Sequence, residues 1–366
     1  MTSNYSFDAM HIVLEGIASL EIGCILYTLC VVKKYFIIDD VNARFRSFGS
    51  LINVDKRNLP PALSFPEQGK KVMPSMKAMQ CWALLHYLPL VVGDLVVEDD
   101  PHWSFLLDLC HLVDIIFAPA FTVGMTEYLK EAIADHLDHL YTMKQLYGDV
   151  CTLKPKHHFM VHFPSVILQS GPLVGMSCLR YELKNSFFKR CAHSMYCFRN
   201  VCKTLACRHE QFALYAKLTG SHARTALTVV SHTVVPLYSL AASSVVCSYF
   251  DISPTDNISV AKKVCRASIE YSQGQHVVTA VLGDGLPEFA CIEGFVYDEV
   301  SDTWVLVVHP LHTVAFVEHY HSYLVESRLP HEFRVVRFEK LIDHHPVWSY
   351  SKHGETFITM RYVVIQ

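Results

Sequence analysis

Arg180-Tyr-Glu-Leu-Lys-Asn-Ser-Phe-Phe-Lys-Arg190 sits inside a run, from about Cys178 to Leu218, that contains neither Gly nor Pro. With the two strongest helix breakers absent, the run suits one long helix or two with a small break. It also divides the chain. The sequence before it repeats apolar residues at helical spacing, and the sequence after Gly220 changes to short runs rich in Val, Ile, Phe, Tyr and Thr. This order predicts an α+β protein with a helical region at 1–150, a basic helical segment at 151–220 and a β-rich domain at 221–366.

The same run is strongly basic. From Lys154 to Arg224 there are eleven Lys/Arg against two acids, Glu182 and Glu210, a local charge of +9. The net charge is −4, so the rest of the chain carries −13. A concentrated basic block in an otherwise acidic chain points to a surface that faces a polyanion. Its alternative is a solvated helix face paired with acids elsewhere in the fold. Hydrophobic residues make up 51% of the 366 and charged residues 18%, enough to build two or three cores and too apolar for general disorder. Thirteen scattered Cys read as buried or free thiols of a reducing compartment. The N-terminus lacks a basic stretch followed by an apolar core, so no signal peptide is expected.

Outward toward the N-terminus, Val13, Ile17, Leu20, Ile25, Leu29 and Val32 place a helix over His11 to Tyr35. A short helix is expected over Val41 to Phe48, a loop over Asn53 to Pro74, and a helix from Ser75 that breaks near Pro89 and Gly93. Asp94 then falls at a helix end. Asp100-Pro101 starts the next helix, through Trp103 and Leu106 to Phe117, and another covers Thr122 to Leu146. Toward the C-terminus, Thr225 to Phe250 has no charged side chain and is long enough to span a bilayer. His232, Pro236 and its Ser/Thr content favour short buried strands with turns instead, and no membrane association is expected. Strands are expected at His276 to Leu282, Glu288 to Tyr297, Thr303 to His309, Phe333 to Phe338 and Thr356 to Ile365, as a small antiparallel barrel or sandwich. Tyr297, Trp304, Tyr320, Tyr323 and Trp348 either fill its core or line a cage for a peptide or ligand.

Several segments carry a family resemblance. Asp8-Ala-Met-His11 followed by Val13-Leu-Glu-Gly16 resembles the D-x-x-H segment of CACTA-type (Spm-like) DDE transposases. Lys154-Pro-Lys-His-His-Phe-Met-Val-His-Phe-Pro164, then Gly171-Pro172, then Arg180-Tyr-Glu-Leu-Lys184, resembles the segment that brings the third acid. The tail, with His319-Tyr-His-Ser-Tyr323, is similar to the C-terminal part of transposon-derived proteins of this type. The resemblance implies the rear of an RNase H-like core, with a helical insertion before it and a small antiparallel β-barrel-like domain after it. It implies that Glu182 matches the third catalytic acid, and Asp8 and His11 the segment after the second. The segments for the first two acids precede that point in the family. A pair of divalent ions needs several converging carboxylates, so the expectation is a catalytically incomplete remnant. Mg or Mn is expected only if the missing acids are supplied.

The chemistry expected of the chain is therefore non-specific contact with DNA, in an intracellular and nuclear setting. Lys154, Lys156, Lys184, Lys189, Arg190, Arg199, Lys203 and Arg208 are the candidate phosphate contacts. The alternatives are a protein-interaction module built on the β-rich tail and an active metal nuclease. His158 and His162 stand at i and i+4, a spacing that permits a shared metal but fits packing or capping beside the prolines. Cys191, His193, Cys197, Cys202, Cys207 and His209 lack the paired C-x-x-C spacing of a zinc site. Without the resemblance, Glu182 reads as an acid favoured by the first turn of its helix.

Overall fold

The computed structural model describes residues 7–49, 58–65, 76–147, 153–195, 198–219, 227–229, 231–267, 269–327 and 332–363. The fold is α+β, with helices through the first part and a curled antiparallel sheet in the last. Most of the loop expected over Asn53 to Pro74 lies outside the described residues. Two units separate. The first comprises Met1–Cys178, Ala315–Leu324 and Trp348–Gln366, and the second Leu179–Val314 and Val325–Val347.

The first unit is built on α1 (Met10–Val32), which includes π-type turns at both ends. Its mean hydropathy is 1.7, long and apolar enough to cross a membrane by composition, and it is mostly buried inside this unit. A helix that is apolar all round buries all round, and Val13, Leu14, Ile17, Ile22, Ile25 and Leu29 are all enclosed. Around it pack α3 (Ala78–Val92), α4 (Pro101–Ile116) and the short α6 (Pro155–Met160). Next come α2 (Ile38–Gly49) against α3, α5 (Val123–Tyr147) against α4, and α7 (Phe163–Ser170) against α5. Asp100 starts α4 as expected: its carboxylate accepts the amides of His102 at 2.9 Å and Trp103 at 3.3 Å, with Pro101 in the first turn.

α3 ends at Val92, beside Gly93 as expected, but it runs through Pro89 without a break. Proline has no N–H for the carbonyl four residues back. That carbonyl, on Leu85, instead accepts from the Cys110 thiol at 3.5 Å. The end of α3 is held by cations that complement its dipole. Lys352 Nζ donates to Leu90 O at 2.5 Å and Arg44 Nη1 to Val91 O at 3.0 Å. Asp94, in the 3₁₀ turn that follows, accepts from both cations at 2.6 Å.

The second unit opens with α8 (Leu179–Met195) and α9 (Val201–Leu218). The Gly- and Pro-free run is thus two helices, with Asn200 in the left-handed region (φ 55°) between them. Asn is among the few residues that adopt that conformation readily. From 153 to 219 the described residues form helices and turns, with no strand. The antiparallel sheet follows, centred on β6 (His276–Val281), β7 (Pro287–Asp298) and β8 (Thr303–Val317). β7 also pairs β3 (Asn257–Ala261), which pairs β2 (Thr233–Pro236). β10 (Arg334–Val336) pairs β8, and β11 (Asp343–Val347) pairs β6. A separate three-stranded sheet joins β1 (Leu227–Val229), β4 (Lys263–Arg266) and β5 (Ile269–Ser272).

Alternation at period two sends neighbouring residues to opposite faces. Phe295, Leu306 and Val308 join one core with Tyr271 and Phe338, while Val296, Val305 and Val307 join a second with Leu237 and Val246. Both faces are therefore covered, the second by α10 (Ser243–Phe250). This corrects the expectation of buried strands over Thr225 to Phe250. β1 and β2 are short and half-exposed, while Leu237–Ser239 forms a 3₁₀ turn and Ser243–Phe250 a helix that covers the sheet there. β8 is longer than expected, whereas the last strand, β13 (Glu355–Ile358), is shorter. In the first unit β13 pairs β12 (Ser349–Lys352) across His353-Gly354, whose φ angles of 54° and 84° suit a two-residue hairpin turn.

Candidate functional site

Among the described residues, α8 and α9 bury little, and Ala216 alone is enclosed in the pair. They meet along an aromatic seam, with Phe187 5.4 Å from Phe212 and Phe188 5.8 Å from His209 between ring centres. Lys184 Nζ lies 5.7 Å from the Phe187 ring and 5.8 Å from that of Phe212, within cation–π range. Lys189, Arg190, Arg199, Lys203 and Arg208 project into solvent. Arg208 donates to Ser194 Oγ at 3.3 Å. Among the described residues none of these six cations forms an ion pair with a carboxylate. Phe198 and Tyr215 are also exposed on this segment, at 68% and 64%.

Glu182 stands exposed in the first turn of α8. Among the described residues it joins no group of three donors close enough to share an ion. Lys154 and Lys156 belong to the first unit. Lys154 is exposed before α6, while Lys156 Nζ donates to His11 O at 2.6 Å. His158 and His162 do approach, with their Nε2 atoms 3.3 Å apart and Phe7 stacked on His162, but no third donor joins them among the described residues. The Cys and His residues of α8 and α9 also form no such group among those described, and Cys197 lies outside them.

Asp8 and His11 do come together. Asp8 Oδ1 accepts the amides of Met10 at 3.3 Å and Cys178 at 3.1 Å, and Oδ2 is hydrogen-bonded to His11 Nδ1. Burial alone would raise the Asp8 carboxyl. The hydrogen bonds from His11 and from the Cys178 amide outweigh it, and the net shift is downward. Cys178 is thus a neighbour that the sequence did not announce.

The sequence reading also missed Glu21. This carboxylate is fully buried inside α1 and lies between His136 Nε2 at 3.0 Å and His157 Nε2 at 3.1 Å. Burial opposes charge on both Glu21 and His136, but their attraction wins, lowering the Glu21 pKa and raising that of His136. The signal was present: an acid among the apolar residues of a buried helix requires a buried partner. The site is sealed, so it serves packing and polar satisfaction rather than access to a substrate.

A cavity of about 420 Å³ opens in the second unit beside β3 and β7. Val260, Phe295, Val307 and Phe333 line it, with His232 and Lys262 exposed at its edge. None of the five aromatics considered for a ligand cage is among its described lining residues. Tyr297 and Trp304 pair across β7 and β8 at 5.5 Å in the second unit, whereas Tyr320, Tyr323 and Trp348 belong to the first. No family model, curated protein or solved structure matches the chain.

Proposed function

We propose that this chain is a transposase-derived protein that binds the nucleic-acid backbone through α8 and α9 and does not cut it. The observation that carries the reading is the set of six cations on these helices that, among the described residues, pair with no carboxylate. A basic block neutralised inside the fold would show such pairs. Two acids, Glu182 and Glu210, accompany eight Lys/Arg between Leu179 and Leu218, so the segment carries +6. Contacts of this kind are sequence-independent and salt-sensitive. The resemblance around Glu182 supports descent from an RNase H-like nuclease, and two-metal chemistry needs several converging carboxylates, which the resemblance places in segments ahead of Asp8.

The test is a titration of labelled duplex DNA at about 50 and about 200 mM salt. Each phosphate contact adds about 0.9 to the slope of log affinity against log salt, so reversing Lys189, Arg190 and Lys203 to Glu should lower that slope by about 2.7. Absence of binding at the lower salt would overturn the reading. So would a triple variant that binds as before but unfolds more easily, because that is the signature of internal pairing. Magnesium-dependent nicking that disappears in Glu182→Gln would refute the catalytic half. A second reading, a protein-interaction module, draws on the cavity beside β3 and β7, whose size suits a ligand or side-chain anchor.

A further inference from the structure

Asp8, His11 and Cys178 offer a carboxylate oxygen, an imidazole nitrogen and a thiol sulfur that all lie within 4.8 Å of one another. Two of these donors flank the start of α1, and the third arrives 170 residues after Asp8. The backbone brings them together, since the amides of Met10 and Cys178 both donate to Asp8 Oδ1. A second observation concerns the far side of the imidazole. With His11 Nδ1 turned to Asp8, Nε2 points toward Glu15 Oε2 at 3.8 Å. A carboxylate behind the outer ring nitrogen is the usual partner of a metal-bound histidine, because it sets the tautomer and the ring orientation.

We propose that Asp8, His11 and Cys178 form a three-ligand site for a zinc-like transition-metal ion, with water in the fourth position. The His11 side chain is 46% exposed, which leaves room for that water. The donor set decides the class of ion. Thiolate and imidazole select zinc or cobalt, whereas magnesium, manganese and calcium prefer oxygen. Tetrahedral zinc with bonds of about 2.0–2.3 Å needs its ligand atoms about 3.3–3.6 Å apart, and the three donors here already lie within 4.8 Å of one another. The balance is simple: the Cys178 thiol loses one proton as the metal–sulfur bond forms, and His11 binds through Nδ1 with its proton on Nε2, toward Glu15. The site is independent of the basic helices and of the two-metal chemistry of nucleases.

The experiment uses the full chain, stripped with a chelator and titrated with Co²⁺. The expected result is one equivalent bound, a thiolate-to-cobalt charge-transfer band, and displacement by Zn²⁺ but not by Mg²⁺. Cys178→Ser keeps the amide that holds Asp8 and should abolish the band, with circular dichroism unchanged. Glu15→Gln should weaken affinity by about 10-fold. The proposal is overturned if no stoichiometric binding occurs, or if the band survives Cys178→Ser and therefore belongs to another of the thirteen Cys.

Discussion

Glu21→Gln tests whether the buried imidazole–carboxylate–imidazole bridge holds the first unit together. The Lys154 amide donates to His157 Nδ1 at 2.9 Å, so His157 carries its proton on Nε2 and donates to Glu21 Oε1. His136 donates from Nε2 to Oε2 at 3.0 Å, and its buried Nδ1 has no hydrogen-bond partner among the described residues. A glutamine offers one oxygen, so one imidazole would face an NH₂ group, donor against donor. His157 can change tautomer only by giving up the Lys154 amide for the more distant Lys154 carbonyl, 3.3 Å from Nδ1. His136 can do so only by placing an N–H in a dry site. The lost charge-assisted bond costs about 1.5–3 kcal/mol and the orphaned N–H about 1–3 kcal/mol. Easier burial of the neutral amide offsets part of this, leaving about 3 kcal/mol of destabilisation. Urea unfolding should be followed by fluorescence in a Trp304→Phe background, which leaves Trp82, Trp103 and Trp348, all in the first unit. The bridge also predicts a pH window. The Glu21 contribution is complete above its ordinary 4.5 and is lost as pH falls through its lowered folded value. The His136 contribution is complete below its ordinary 6.5 and is lost as pH rises through its raised folded value. A loss below about 1 kcal/mol in Glu21→Gln, or an unchanged pH profile, would refute the reasoning.

In the second unit, burial pushes His276 down to about 4 from 6.5, against a backbone hydrogen bond at Val347. Its neutral form is favoured by folding, so its stability contribution is present above 6.5 and about 3 kcal/mol should be lost as pH falls to about 4; Trp304 fluorescence reports it, and His276→Gln should flatten the profile. Cys110→Ala leaves the Leu85 carbonyl under Pro89 without its thiol donor; a loss of about 1–3 kcal/mol in urea is expected, with partial recovery in Cys110→Ser. If α9 contacts nucleic acid, the exposed Tyr215 provides a face on which an unpaired base can stack. Tyr215→Ala should then weaken single-stranded DNA by about 1–3 kcal/mol in anisotropy titrations and leave duplex affinity unchanged.

Signals that act within one turn were legible from the residues alone. Asp100-Pro101 starts a helix because a carboxylate and a missing N–H both suit a first turn. His353-Gly354 turns a hairpin, and the absence of Gly and Pro from 178 to 218 foretells helices there. Asp8 and His11 entered only through the D-x-x-H resemblance, and the structure hydrogen-bonds them to each other. Other features needed the tertiary structure. Pro89 stays inside α3 because Cys110, on a different helix, supplies a donor. Ser243 to Phe250 is helical because the face of β7 and β8 has to be covered. Glu21 finds His136 and His157 at separations of 115 and 136 residues, and Asp8 finds Cys178 at 170. Local propensity decides which element a segment forms when nothing larger competes. Which buried polar groups meet is decided by packing, because an unpaired charge away from water costs more than any single turn or cap contributes.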